Sequence, residues 1–472
     1  MFLGFKCTRC SSKIEDEELV ENGLCKRCGG TLLAIYDYSD VDVNRLDGGR
    51  PSEGVWKFRM ILPSATTEIS LSEGCTPLLK ASRLSEKLGL RNILLKNECE
   101  NPTGSFIDRG SAILVSKLVE KGIEGVYGFF KGNMGASLAA YCARAGLKCI
   151  ALLKGPIDAA KLYQMIAYGA EVKIGEATRP NFKAYRASSA DPYMLEGFKT
   201  IVYEIAMSLS WRMPNVIVVP IGSGSLATAL WRGLKELKLL GFLEENNVRI
   251  IGVQPSFCAP VVEKFTGVKL PKRGDVVPEL AFPNPERGEE ALKAIKESRG
   301  AALTVSEDEM IEASKLLAKC EGIFAELAAA STIAALRRLV DEGLISRDEE
   351  AVCMVTGSGL KDPTAAVREL ERNIALERVI KGLEKAKLRG VVGSTKVEIL
   401  KILKEKNCHG YEIWKELSRR GLEISMPVVY QHLRELKSLG LIAVDRVAVV
   451  KNRRRVLFTL TKKGRELLAA FT

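Results

Sequence analysis

Four cysteines near the start of the chain carry the most direct chemical signal. Cys7-x-x-Cys10 and Cys25-x-x-Cys28 are separated by fourteen residues. Each pair places two thiolates on one tight turn, and two such turns complete a tetrahedral four-sulfur site of the kind zinc takes. Arg9, Lys26 and Arg27 lie within the pairs and favour thiolate formation. A redox role for either pair is the alternative reading. Residues 1–35 are too few to bury much of a core, so a structural metal is expected to supply their folding energy.

A second chemical stretch is Gly222-Ser223-Gly224-Ser225-Leu226. It follows an apolar strand-like run and opens a helical pattern. Glycines let backbone N–H groups converge on an anion, and a helix N-terminus adds its positive end, so a phosphate fits this loop. Histidine, the commonest proton shuttle near neutral pH, is nearly absent. The chain's two histidines, His409 and His432, both lie beyond residue 391.

The elements that must position these groups alternate. Asn92–Leu95, Lys148–Leu153, Val216–Pro220, Arg249–Val253 and Ala351–Val355 read as buried parallel strands. Ser137–Ala145, Ala159–Tyr168, Leu226–Leu239 and Asp308–Cys320 read as the intervening helices. The pattern predicts an α/β body of doubly wound character. Residues 366–390 read as a connecting helix, and Gly390–Ser394 as the boundary of a last domain.

Composition separates body from tail. The net charge is +12, but residues 391–472 hold 17 Lys/Arg against 8 Asp/Glu, so the tail alone carries +9. A nearly neutral body with a basic tail points to a polyanion partner for the tail. The other eight of the 12 cysteines are scattered singly, unlike a secreted disulfide framework. No run of eighteen apolar residues suggests a membrane span, and the first residues do not make a signal peptide. A cytoplasmic protein without a membrane partner is expected.

Asn101-Pro-Thr-Gly-Ser-Phe-Ile-Asp-Arg-Gly110 resembles the cofactor-attachment motif of threonine synthase and related fold-type II pyridoxal-phosphate (PLP) enzymes. Further landmarks follow in the expected order: Glu73–Leu78, Lys96-Asn97-Glu98, Gly132-Asn133, Asp191–Gly197, Gly222–Leu226, Glu321–Glu326 and Thr356–Asp362. The resemblance implies a two-subdomain PLP-fold body of the tryptophan synthase β type. In it Phe106, Asn133, Gly222, Ser223, Gly224, Ser225, Leu226 and Thr356 would surround the cofactor. Lys96, Ser105, Arg109 and Lys131 are candidate ligand-binding residues.

Three departures fall at the chemistry. The family's attachment lysine is replaced by Ile107, which has no nitrogen to form the imine or to move a proton. Ser358 stands where threonine synthases commonly have histidine, and Lys131 where the family usually has serine. Lys131 is either a relocated amine, a charge that holds a phosphate or carboxylate, or a surface residue at a helix start. Losing a positioned proton-transfer group typically costs ~10²–10⁴-fold in rate. No catalytic residue is therefore assigned, and PLP, if bound, is expected to be non-covalent.

Residues 391–472 show three helical segments followed by a strand pair, a hairpin whose expected tip is Lys451-Asn452-Arg453-Arg454-Arg455. His409–Ile413, Val429-Tyr430-x-x-Leu433-x-x-Leu436, Leu439–Ile442 and Leu460–Arg465 resemble the PadR-like winged helix-turn-helix regulators. That resemblance implies a dimer on double-stranded DNA, with the third helix in the major groove. Gln431 and Arg434 are candidates for base edges, and Tyr430, Lys437, Arg453, Arg454 and Arg455 for phosphates.

The expected architecture is a zinc ribbon (1–35), a threonine synthase-like body (36–365), a connector helix (366–390) and a winged helix (391–472). The expected function is transcriptional regulation by a catalytically impaired body that senses an amino-acid metabolite, a phosphorylated one or PLP. The alternative is an active PLP-dependent lyase converting phosphohomoserine to threonine.

Overall fold

The computed structural model describes residues 1–15, 23–39, 41, 49–130, 132–153, 159–174, 179–243, 247–271, 277–362, 394–450 and 453–469. They fall into two compact units, Met1–Ala366 and Val367–Thr472. The connector expected at 366–390 lies outside the described residues.

The first unit opens with β1 (Phe2–Cys7), β2 (Lys13–Ile14) and β3 (Leu32–Tyr36), an antiparallel sheet in the order β2-β1-β3. Its apolar residues do not form a core of their own. Phe5 and Leu32 are fully buried in the same cluster as the body's helices, and the Phe5 ring stands 4.9 Å from that of Tyr193. Docking onto the body therefore contributes to this segment's folding energy, beside any metal the cysteines hold.

The body continues in chain order. First come β4 (Leu78–Lys80), α1 (Ser82–Leu88), β5 (Asn92–Asn97), α2 (Ile107–Glu120), β6 (Gly125–Phe129), α3 (Gly132–Ala145) and β7 (Lys148–Leu153). Next are α4 (Ala159–Ala167), β8 (Glu171–Ile174), β9 (Ala184–Arg186), α5 (Pro192–Ser208), β10 (Val216–Pro220), α6 (Ser225–Leu239) and β11 (Arg249–Pro255). Then follow α7 (Pro260–Thr266), α8 (Gly288–Glu297), β12 (Ala301–Val305), α9 (Glu307–Glu321), α10 (Leu327–Asp341) and β13 (Glu350–Val355).

Two sheets result. The larger runs β12-β11-β10-β13-β5-β4, parallel except for the edge strand β4. The smaller runs β8-β7-β6-β9 and is parallel throughout. Alternation explains why the central strands read as unbroken apolar runs. Ile217 and Val219 enter one core cluster, and Val216 and Val218 enter the other, on the opposite face. All five expected strands are present, but Lys148–Leu153 belongs to the smaller sheet.

α3 starts five residues before the apolar periodicity at Ser137 begins. In its first turn Gly135 leaves no room for a side chain, since a Cβ there would stand 2.2 Å from Met165 Cε.

The second unit holds α11 (Ser394–Glu405), β14 (Cys408–His409), α12 (Gly410–Arg419), α13 (Met426–Ser438), β15 (Ile442–Val450), β16 (Arg453–Leu460) and α14 (Lys462–Ala469). β14 and α14 were not legible in the sequence. Val429, Leu433 and Leu436 bury one stripe of α13 against Ile413 and Leu417. His409 caps α12 reciprocally with Glu412, each backbone N–H reaching the other's side chain at 3.2 Å. The hairpin is tighter than expected: Arg453, Arg454 and Arg455 are not its tip but pair within β16 opposite Val450, Val449 and Ala448. Among the described residues, no helix is long and apolar enough to cross a membrane.

Candidate functional site

The carboxyl ends of the larger sheet's strands and the starts of α2, α3 and α6 converge on a cavity of about 720 Å³. That volume suits a small organic ligand. Phe106, Ile107, Asn133, Gly222, Ser223, Gly224, Ser225, Leu226 and Thr356 all line it. The expected cofactor residues are thus brought together from segments spread over 250 positions of sequence.

β10 ends at Pro220 and feeds the loop that caps α6. Gly224 sits at the N-cap with φ 92°, a conformation that favours glycine, and a Cβ there would stand 2.4 Å from Arg287 O. Gly224 has no side chain to cap α6, and Ser225 N reaches Ser223 Oγ at 3.4 Å, so the N–H groups of Leu226 and Ala227 remain for an anion. Ser225 donates to Ser189 O, and the Arg287 amide donates to Ser223 O at 2.9 Å, which fixes the loop. On the opposite wall, the Phe106 and Phe198 ring centroids are 4.8 Å apart, and the Phe106 amide donates to Thr356 O at 3.1 Å.

Asn133 Nδ2 donates to both carboxylate oxygens of Glu326 at 3.0 Å. Its buried Oδ1 has no partner among the described residues, as befits an acceptor left for a ligand. Glu279 and Glu326 also line the cavity, and both face Lys161, which is fully buried behind them. An apolar wall, a glycine loop at a helix N-terminus and an orphaned amide oxygen fit the ring and phosphate of PLP.

They do not fit its covalent attachment. Ile107 begins α2 and faces the cavity, and no lysine lines it among the described residues. Lys131 lies outside the described residues. Ser358 supplies no imidazole; its Oγ accepts from Leu360 N at 3.3 Å and caps a short turn.

Three expected ligand residues lie elsewhere. Lys96 and Arg109 are fully buried in an ion network beneath the cavity rather than on its wall. Arg109 Nε and Nη2 reach Glu98 at 2.6 and 2.8 Å. Nη1 and Nη2 each reach Glu204 at 2.7 Å, and Lys96 Nζ meets Glu204 at 2.7 Å. Burial opposes the Glu204 carboxylate, but Arg109 and Lys96 outweigh it and hold it well below the usual carboxylate range. Ser105 is also buried, does not line the cavity, and bridges Gly357 through its backbone. The sequence motif signalled that these residues matter, and the tertiary structure makes them supports.

Residues that the sequence reading missed include Leu24, Arg186, Ser188–Ala190, Met194, Phe198 and Glu279–Phe282. Most come from irregular segments with no periodicity to read.

Cys7, Cys10, Cys25 and Cys28 gather with all sulfurs within 4.8 Å of one another. Cys7 and Cys28 are 3.4 Å apart, and Cys10 and Cys25 3.7 Å. Hydrogen bonds from Ser12 lower the Cys10 thiol to about 6. The Gly30 amide favours the Cys28 thiolate, but burial and its sulfur neighbours outweigh it and push Cys28 up to about 11. Four sulfurs so close form a donor set that fits zinc.

In the second unit, Tyr430, Gln431, Arg434 and Lys437 are exposed on α13. Gln431 Nε2 is bound to Glu435 Oε1 at 3.0 Å and Arg434 Nε to Tyr430 O at 3.4 Å, so both must exchange partners to meet a base. The Tyr430 ring lies over Gly410, where any Cβ would stand 2.7 Å from it. The side chains of Arg453–Arg455 lie outside the description.

Cavity and topology together define a two-subdomain α/β cofactor-binding body, and the smaller unit has the helix and hairpin order of a winged helix. Residues 69–357 match the family described as pyridoxal-phosphate dependent enzyme, and the chain belongs to it. Residues 399–470 match the transcriptional regulator PadR-like family.

Threonine synthase of Methanocaldococcus jannaschii is 39% identical over 401 residues, 79% of this chain and 96% of the relative. That of Methanosarcina acetivorans is 36% identical over 403 residues, 81% of this chain and 98% of the relative. Among solved structures, maize serine racemase overlays with a TM-score of 0.52 at 16% identity, covering 63% of this chain and 93% of that one. A fungal L-serine ammonia-lyase from Rhizomucor miehei gives 0.52 at 20% identity, covering 60% and 93%. These two share the fold of the body.

Proposed function

We propose that this chain is a ligand-responsive transcriptional regulator built on a threonine synthase-like body that no longer turns over. The body binds a small amino-acid metabolite, a phosphorylated one, or PLP held without a covalent bond. The four cysteines hold a structural zinc, and α13 with the β15–β16 hairpin contacts double-stranded DNA in a homodimer. Ligand binding biases DNA affinity only if the ligand prefers one state of the body, and a coupling of ~1–3 kcal/mol suffices.

One observation carries this reading: Ile107, which by the motif resemblance takes the place of the family's attachment lysine, lines the cavity together with the glycine loop Gly222–Leu226. A group that binds an anion without capturing an aldehyde suits a sensor better than a lyase.

The rival reading is an active threonine synthase-like lyase that uses Lys131. Identity of 39% across 96% of a threonine synthase favours it. Borohydride treatment of the PLP-loaded chain, followed by peptide mass mapping, separates the two. The regulator predicts no lysine adduct, no threonine formed from phosphohomoserine, and PLP-dependent retention of DNA from the chain's own upstream region. A reduced adduct on Lys131 together with threonine production would refute it.

A further inference from the structure

The four-cysteine knuckle is built into the wall of the ligand cavity. Leu24, which precedes Cys25, lines the cavity beside Ser188–Ala190 and the glycine loop. Gly23 packs so tightly on the same wall that a Cβ there would stand 2.6 Å from Ala190 O, and its φ of 67° favours glycine. One buried side chain joins the parts: Arg287 donates from Nη2 to Leu32 O of β3 at 2.8 Å and from Nε to Ala190 O at 3.1 Å. Its own backbone N–H holds Ser223 O of the phosphate loop. Behind this junction, Phe5 of β1 packs on Tyr193, the neighbour of cavity residue Met194.

The knuckle's backbone path depends on the cysteines being drawn together. Cys25 N donates to Gly30 O at 2.7 Å and Gly29 N to Cys25 O at 2.8 Å, a turn only as fixed as the sulfurs that close it. Without a cation to draw the four sulfurs together, the turn that carries Gly23 and Leu24 loses its cross-link and is held by its backbone hydrogen bonds. The contact on Ala190 then loosens, and Arg287 passes the change to Ser223.

We infer that metal binding by Cys7, Cys10, Cys25 and Cys28 and ligand binding in the cavity are thermodynamically linked, with Leu24, Gly23 and Arg287 as the coupling residues. The inference rests on the metal reading of the ribbon but not on the regulatory reading of the whole chain. Linkage is reciprocal: metal tightens the ligand, and ligand retains the metal by the same factor.

The test uses the full chain with zinc(II) and with PLP as the cavity probe. Zinc removal by a chelator is expected to speed amide exchange across 186–191 and 220–226 while β10 and β13 stay protected. PLP binding is expected to weaken by about 5- to 150-fold, the usual range of allosteric coupling, and saturating PLP to slow zinc release. Gly23→Ala keeps all four thiols. It should bind one zinc and still show the fast exchange at 186–191, which keeps the inference testable if stripping unfolds the ribbon. Unchanged exchange in both the stripped chain and Gly23→Ala, with zinc release indifferent to PLP, would overturn it. A chain that takes up no zinc would overturn the metal reading as well.

Discussion

Replacing Arg109 with methionine discriminates sharply between a ligand residue and a structural one. The guanidinium is fully buried and bonded to both Glu98 and Glu204, and when it is removed Glu204 keeps Lys96 as its cation, with the Cys75 amide as a neutral donor. Glu98 is then left with the hydroxyl of Thr76 and the side-chain amide of Asn101 as neutral donors. Breaking a buried pair by removing one partner typically costs about 3–5 kcal/mol, because a desolvated charge is left behind. That is a large part of a usual folding stability of about 5–15 kcal/mol.

The pH dependence has a definite sign. The folded Glu204 carboxyl lies below its unfolded value, so its stabilisation is present above about pH 4.3 and is lost as pH falls through the folded value. In Arg109→Met the Glu204 carboxyl takes up a proton more readily, because the largest charge holding it down is gone. The gap between variant and wild type should therefore be full at pH 8 and shrink toward pH 4.5.

Urea unfolding followed by Trp56, Trp211 and Trp231 in a Trp414→Phe background reports on the body alone. Per folded molecule, PLP affinity should stay within a few-fold of wild type. An unchanged urea midpoint together with lost PLP binding would restore Arg109 as a ligand contact and refute the network reasoning.

Three further outcomes follow from other parts of the molecule. Gly224→Ala meets both a φ of 92° and the Arg287 carbonyl, so it should lose about 1–3 kcal/mol of stability and most phosphate or PLP binding, measured by titration calorimetry. Burial raises Glu73 to about 7, although Leu71 N and the Tyr141 hydroxyl act the other way. Folded Glu73 holds its proton where the unfolded chain has released it, so stability falls as pH rises from about 4.5 through about 7, by roughly 3 kcal/mol. Glu73→Gln should flatten thermal melts across that window, and an unchanged pH profile would count against it. Affinity for double-stranded DNA should drop steeply with salt, about 0.9 in log–log slope per phosphate neutralised, and alanine at Arg453, Arg454 and Arg455 should flatten the slope by about 1–3. An equal slope in both proteins would remove the hairpin from the DNA surface.

The chain's own letters settled a good deal. The β10 and β13 strands were legible because a buried parallel strand is apolar on both faces. The glycine loop was legible because three neighbouring positions encode its geometry, and the cysteine pairs because metal ligands recur at short fixed spacing. The absence at Ile107 needed no fold at all, since an isoleucine carries no amine anywhere. These are local facts, fixed by residue type and nearby spacing.

Convergence over long separations was decided elsewhere. Whether Lys96 and Arg109 meet a ligand or two buried glutamates depends on where Glu204 of α5 arrives, more than ninety residues later in the chain. The ribbon reads as a separate unit in sequence, yet Phe5, Leu24 and Leu32 complete the body's core and cavity wall. Arg453–Arg455 look like a loop tip by composition, but pairing with Ala448–Val450 draws them into β16. Burial and pairing are properties of which distant segments come to share space, and no window of neighbouring residues records that.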